Sequence, residues 1–152
     1  MIKYEAIFED TEAMFNSAIE VAGLNRYMNI GILANNKAKK LFNIKKSDDL
    51  HKYRTSIDVE ISINEKIFEQ LPLDQQLIVV DSIIAYVSFN TEKDMIELKN
   101  PEFKAHKGII SKHTYEVLNV VEESIKSLYQ AEKEAEDAIK ATTEKAKKSN
   151  KF

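Results

Sequence analysis

Two adjacent polar residues, Asp81 and Ser82, interrupt the most apolar segment of the chain, IVVDSIIAYV. A carboxylate can serve as an acid, a base or a metal ligand, and a serine hydroxyl becomes a nucleophile when a neighbouring base removes its proton. Carboxylates are rarely buried, whereas partly exposed ones at a helix edge are common. Asp81 and Ser82 therefore either line a cleft that uses their chemistry or form the narrow polar edge of a core helix.

Histidines are the next candidates for chemistry, as metal ligands. The chain contains three, His51, His106 and His113. The last two are seven residues apart, so on an unbroken helix they would lie on one face but about 10 Å apart along the axis. That separation is too long for two ligands of one ion. A metal site that uses these histidines is not expected.

Acidic residues after the apolar segment offer a different metal site. Glu92, Asp94 and Glu97 could join Asp81 in an all-oxygen site for magnesium or calcium. Neither the spacing of an EF-hand nor that of a phosphate-binding loop accompanies them. Solvated loop carboxylates explain the pattern better, and the sequence predicts no metal and no cofactor.

A basic stretch between residues 37 and 46 surrounds Phe42. Lysines around an exposed aromatic ring can hold single-stranded nucleic acid, although lysines also protect the edge strand of a sheet from pairing with another chain. The whole chain has a net charge of −3, which gives no general attraction to phosphate backbones. Nucleic-acid binding is therefore a disfavoured alternative, and it would use Lys37, Lys39, Lys40, Lys45 and Lys46.

Composition limits the class of protein. A chain of 152 residues fits one domain, and its three glycines and two prolines favour long regular elements rich in helix. The absence of cysteine excludes disulfides and thiolate zinc sites. No segment approaches the roughly 18 apolar residues of a membrane span, and the N-terminus lacks the apolar run of a signal peptide. We therefore expect a cytoplasmic protein that does not enter a membrane.

Hydrophobic periodicity predicts helices that position the candidate residues. Residues at helical spacing indicate a first helix from Asp10 or Thr11 to Gly23, a central helix from Asp74 to Val87 and a long helix from Thr114. Three shorter helices are predicted from their first residues: Ser47 and Asn64 as N-caps, and Asn100 with Pro101 as the start of a helix that carries Phe103.

Alternating apolar residues predict the strands. Ile57, Val59, Ile61 and Ile63 point one way, as in an antiparallel or edge strand. Further strands are expected at residues 28–32, 39–44 and 95–98. The predicted fold class is α+β: residues 1–129 form one domain, in which a small three- or four-stranded sheet packs on the central apolar helix and a long C-terminal helix closes it. Residues 130–152 are predicted to form a charged tail that is helical or partly disordered.

The order of elements from residue 26 to residue 113 resembles that of small tailed-bacteriophage proteins described as metallopeptidases with a compact zincin-like fold. In that family a hydrophobic strand, here residues 57–63, precedes a short helix, here residues 65–71, and a helix that carries HExxH comes next. A segment like NPEFKAHKGIISKH follows. The resemblance implies a zincin-like fold and a phage-encoded protein.

The resemblance also locates the residues that would carry the family's chemistry. In HExxH, two histidines four residues apart bind one zinc ion, and the glutamate polarises the metal-bound water. Here Asp81 and Ala85 occupy the histidine positions and Ser82 occupies the glutamate position. Alanine cannot bind a metal, and serine is not a base at neutral pH. Asp81 and Ser82 would then line the vestige of the ancestral cleft.

These positions lead to three hypotheses about function. The first is a non-catalytic phage-encoded protein that acts by binding another protein, a host or virion component. The second is a hydrolase with a carboxylate metal site around Asp81. The third is a nucleic-acid accessory protein that uses the lysines around Phe42.

Overall fold

The computed structural model describes residues 3–101 and 105–149 and confirms the predicted α+β class. Within these residues, a three-stranded sheet and a separate two-stranded hairpin are combined with α-helices. The strands are β1 (Ile30–Ala34), β2 (Phe42–Lys46), β3 (Val59–Ile63), β4 (Val87–Asn90) and β5 (Met95–Leu98). The helices are α1 (Glu9–Val21), α2 (Asp49–Thr55), α3 (Glu65–Phe68), α4 (Leu73–Ile84), α5 (Lys107–His113) and α6 (Tyr115–Ser149).

The three-stranded sheet is organised around β3, which lies between β1 and β2. β3 is antiparallel to β2, with Ile61 opposite Ile44, and parallel to β1, with Ile61 opposite Ile32. The antiparallel pairing agrees with the prediction, but the edge position was wrong because β1 adds a neighbour on the second side. Apolar residues of all three strands share one face, so Val59, Ile61 and Ile63 are fully buried.

The central helix is shorter than the apolar pattern predicts. α4 ends at Ile84, and the predicted last residue, Val87, begins β4. There the chain becomes extended and pairs with β5, with Val87 opposite Leu98 and Phe89 opposite Ile96. Because β4 is itself apolar, the change from helix to strand leaves no break in hydrophobicity for a pattern to detect.

Two other helices begin at residues that the sequence did not predict. α2 is capped by Asp48 rather than by Ser47, because the Asp48 carboxylate accepts the backbone N–H three residues further on, at 2.7 Å. α5 begins at Lys107 and not at Pro101. Phe103, which the predicted helix was expected to carry, lies outside the described residues.

Helix α6 packs on the core and then extends away from it. Val121 is buried with the residues of the sheet and of α4, and Lys66 of α3 donates a hydrogen bond to Glu132 at 2.9 Å. From residue 133 to residue 145 the side chains of α6 are exposed, and the basic end at 146–152 lies beyond the described side chains. Neither α6 nor any other helix in the described ranges is both long and apolar enough to span a lipid bilayer.

The side chain of Asn64 joins the sheet to the helices. It is 1% exposed, and its Oδ1 accepts the N–H of Ile67 at 3.2 Å, so it caps α3 as predicted. Its Nδ2 donates to the carbonyl of Ala38 at 3.0 Å, and its backbone N–H donates to the carbonyl of Leu41 at 2.7 Å. One buried residue therefore fixes where β3 ends, where α3 begins and how the chain before β2 lies against both.

Replacing Asn64 by alanine should destabilise the fold, because the N–H of Ile67 and the carbonyl of Ala38 lose their partners in a buried site. We expect the free energy of unfolding to fall by about 2–4 kcal/mol. Asn43→Ala is the matched control, since Asn43 is exposed on β2, and its effect should stay within about 0.5 kcal/mol. Urea unfolding measures both variants, and equal losses would contradict the role of Asn64.

Candidate functional site

Asp81 lies on a cleft between α1, α4, α5 and β4, which we call the α4 cleft. The volume of the cleft is about 560 Å³. Its walls are mainly aliphatic, and they include Met14, Ala18, Leu24, Val80, Ile84 and Ile109. Two charged residues, Asp81 and Lys112, also line it. A concave apolar surface with few polar groups is typical of a binding site.

The carboxylate of Asp81 is bound by two side chains from the end of α5. Lys112 Nζ donates to Asp81 Oδ2 at 2.9 Å, and His113 Nε2 donates to the same oxygen at 3.0 Å. The side chain of Asp81 is 25% exposed and that of His113 is 18% exposed. These contacts tie α5 to the middle of α4, so the carboxylate has a structural role that requires no metal.

The other two motif positions do not complete a catalytic set. Ala85, one turn beyond Asp81, also lines the α4 cleft, where its methyl group offers no ligand. Ser82 lines a second cleft on the α6 side of α4, and its hydroxyl donates to the carbonyl of Ile78 at 2.9 Å. Such a bond to the preceding helical turn is a common way for a serine to satisfy its hydroxyl within a helix. The two adjacent polar residues thus line different clefts.

The histidines are dispersed over the described residues. His51 Nε2 lies 3.1 Å from Glu60 Oε1, on the face of the sheet opposite the core. His106 Nε2 donates to the carbonyl of Lys99 at 2.8 Å. His113 is the histidine that contacts Asp81. No group of three His, Asp or Glu side chains converges as metal ligands within the ranges that the structure describes.

The acidic residues after α4 belong to the β4–β5 hairpin and do not contribute to the Asp81 cluster. Glu92 and Asp94 lie in its turn, and Asp94 has a φ of 52°, in the left-handed region that turns use. Glu97 Oε1 accepts a hydrogen bond from Asn90 Nδ2 at 3.1 Å across the hairpin. The hydrogen bonds to Asp81 come instead from α5.

The basic stretch covers β2, an edge strand of the three-stranded sheet, and the turn residues just before it. Phe42 is half-buried, and its ring packs against Tyr86 with ring centroids 5.5 Å apart. Lys46 Nζ donates to the carbonyl of Ile96 at 3.3 Å. The five lysines of the predicted nucleic-acid patch are all exposed: Lys37, Lys39, Lys40, Lys45 and Lys46. Exposed positive charge thus lies on β2 and on the segment before it, beside an aromatic ring that packs inward.

The second cleft lies between α4 and α6, and we call it the α6 cleft. Its volume is about 270 Å³. Tyr86, which the sequence did not single out, packs against Phe42 and His106 with ring centroids 5.5 and 4.6 Å away. Burial raises the pKa of the Tyr86 phenol, so the phenol is neutral at physiological pH. The sequence signal for Tyr86 was its spacing of four residues from Ser82, which is typical of residues on one side of a helix. That spacing does not indicate which other aromatic residues pack against Tyr86.

Lys112 is the member of the Asp81 cluster that sequence reasoning missed. A carboxylate in an apolar helix needs a hydrogen-bond donor or a cation as a partner. The sequence therefore indicated that Asp81 has such a partner, but not which residue it is. The donors lie 31 and 32 residues further along the chain. With 22 lysines and arginines in the chain, no spacing distinguishes Lys112 from the others.

No protein family model, curated protein or solved structure matches this chain. The resemblance to phage metallopeptidases therefore stays a prediction.

Removing the Asp81 carboxylate should loosen α5, because Lys112 and His113 lose their shared acceptor. In Asp81→Ala, we expect amide hydrogen exchange across α5 to accelerate about five-fold, which corresponds to about 1 kcal/mol. Exchange in α4 should change little. Lys126→Ala is the control, because it removes an exposed pair within α6 and should leave α5 unaffected. Unchanged exchange in α5 of Asp81→Ala would show that this cluster does not hold the helix.

Proposed function

We propose that this chain is a non-catalytic protein that acts by binding another protein, and that the α4 cleft is its binding site. In this proposal the chain is phage-encoded, derives from a metallopeptidase-like ancestor and meets a host or virion component in the cytoplasm of the host cell. The observation that supports the proposal best is the environment of Asp81. Its carboxylate binds Lys112 and His113 beside a cleft with apolar walls.

The residues of the α4 cleft support binding over hydrolysis. Hydrolysis requires a group that activates water and holds the developing charge, as a metal does in the zincin-like family. At the two positions that would hold the metal, the side chains are a carboxylate engaged by α5 and a methyl group. Without a metal site, the cleft still has its volume and its apolar walls. These two features are typical of a binding site.

Apolar side chains are exposed on the lining of the α4 cleft. Leu77 is 48% exposed and Tyr27 is 50% exposed, and Val21 is more exposed than either. The ring of Tyr27 stacks on that of Phe89, with centroids 4.4 Å apart and an angle of 6° between the planes. Exposed apolar residues around a concave surface are typical of sites that bind other proteins. Tyrosine in particular contributes strongly to such interfaces.

The shape and charge of the cleft indicate the chemistry of the partner. Helices α1 and α4 bound it on two sides, a geometry that accepts the apolar face of a helix. The charged residues that line the cleft, Asp81 and Lys112, are paired with each other. Binding should therefore depend on apolar contacts, with little dependence on salt.

The proposal predicts that metals have no effect on folding. Zinc, magnesium, manganese and EDTA should each leave the melting temperature unchanged, and protein purified without chelator should contain no stoichiometric metal. A metal present at 100 times its dissociation constant would stabilise the folded state by about 2.7 kcal/mol, which a thermal melt detects easily. A stoichiometric metal, or a stabilisation that Asp81→Ala abolishes, would support the hydrolase hypothesis instead.

A photo-crosslinking residue at Leu77 should capture the partner in the cells in which the gene is expressed. We expect one discrete adduct, because the partner would bury Leu77, and mass spectrometry would identify it. The same crosslinking residue at Tyr53 is the matched control, since Tyr53 is highly exposed on α2 and does not line the cleft.

Competition distinguishes specific capture from chance encounters. Excess unmodified protein should suppress the Leu77 adduct, whereas an excess of Ala18→Glu, which places a charge on the apolar wall, should not. The same mixture of adducts from Leu77 and Tyr53 would contradict the proposed site.

A further inference from the structure

The α6 cleft combines an apolar floor with an aromatic wall. The floor is formed by aliphatic side chains of α4 and α6, among them Ile78, Val79 and Val121. The rings of Phe42, Tyr86 and His106 form the wall. Among the described residues that line this cleft, none is a lysine or an arginine. The cleft therefore offers aliphatic surfaces that can contact methyl groups and aromatic rings that can contact a positive charge.

The three rings stand at large angles to one another. The planes of Tyr86 and His106 meet at 82°, and those of Phe42 and Tyr86 meet at 67°. The rings of each pair are therefore in edge-to-face contact, and all three residues line the same cleft. Because the face of an aromatic ring carries negative electrostatic potential, a ring face presented to the cleft would attract a cation.

A hydrogen bond holds the ring of His106 in place before any ligand arrives, and a backbone hydrogen bond positions the main chain of Tyr86. His106 Nε2 donates to the carbonyl of Lys99 at 2.8 Å, and the N–H of Lys99 donates to the carbonyl of Tyr86 at 2.8 Å. The residues that carry the rings are thus linked through one intervening residue. A preformed wall reduces the conformational entropy that a ligand would otherwise have to overcome.

Glu122 supplies a negative charge to the same cleft. It lines the cleft, and its Oε1 lies 3.5 Å from Lys126 Nζ, one turn further along α6. Exposed pairs of this kind contribute little to stability. A cation inside the cleft can therefore replace Lys126 as the partner of Glu122 at little cost.

We propose that the α6 cleft binds a small quaternary or methylated ammonium group. Its charge would lie against the ring faces of Phe42, Tyr86 and His106 and near Glu122, and its methyl groups would contact the aliphatic floor. A primary ammonium is more strongly hydrated and loses more on leaving water, so methylation should favour binding.

Isothermal titration calorimetry with choline and with 3,3-dimethylbutanol tests the proposal. The two molecules have nearly the same shape, but only choline is charged. Choline should bind at least about ten-fold more tightly, the difference expected for a desolvated cation–π site. Equal affinities would show an ordinary apolar pocket, and either that result or no binding of choline would overturn the proposal.

Four variants assign the binding to this cleft. Glu122→Gln should weaken choline binding about five-fold, and Tyr86→Leu, which keeps an apolar side chain but removes the ring, about ten-fold. Tyr86→Phe keeps the ring and should bind as the parent does, as should Tyr53→Leu, a ring on α2 outside the cleft. Thermal melts check that each variant is folded, and Glu122→Gln, at a partly exposed site, decides the outcome if Tyr86→Leu does not fold. Full retention of affinity in Glu122→Gln would overturn the assignment.

Discussion

The buried side chain of Asn64 lies where three segments meet, and the positions of the other elements depend on its hydrogen bonds. Its partners are the cap of α3 and the carbonyl of Ala38, groups that are costly to bury without a partner. The next residue, Glu65, is also almost fully buried and accepts the N–H of Phe8, at the start of α1, at 3.0 Å. Two adjacent polar residues therefore fix the sheet, α1 and α3 relative to one another.

This polar junction determines where α4 can lie. α3 is followed by Pro72, which cannot continue a helix and stands as the residue before α4. α4 then packs against α1 on one side and α6 on the other, and the two clefts are the spaces left beside it. Lys112 and His113 close one end of this arrangement by binding Asp81. The clefts are thus consequences of how the core is assembled.

Local patterns predicted that most elements exist, although not always where they begin, whereas contacts between distant elements could not be predicted. The alternation around Ile61 and the cap at Asn64 were both predicted from their neighbours in sequence, because a strand face and an N-cap are local. The central position of β3 was not, since it depends on β1, whose pattern does not name its partner. The end of α4 was also missed, because β4 continues the apolar run. The contact of Lys112 with Asp81 was not predicted either, because the two residues lie far apart in the sequence.

The polar interruption of α4 follows from its having two buried sides. Adjacent residues on a helix are about 100° apart, so Val80 and Asp81 line the α4 cleft while Val79 and Ser82 line the α6 cleft. A helix that supplies a wall to both clefts must be apolar over most of its circumference. Polar groups can be accommodated where a partner is within reach, and Asp81 reaches two donors of α5 while Ser82 reaches the carbonyl of Ile78. Each polar residue therefore has a hydrogen-bond partner within the fold.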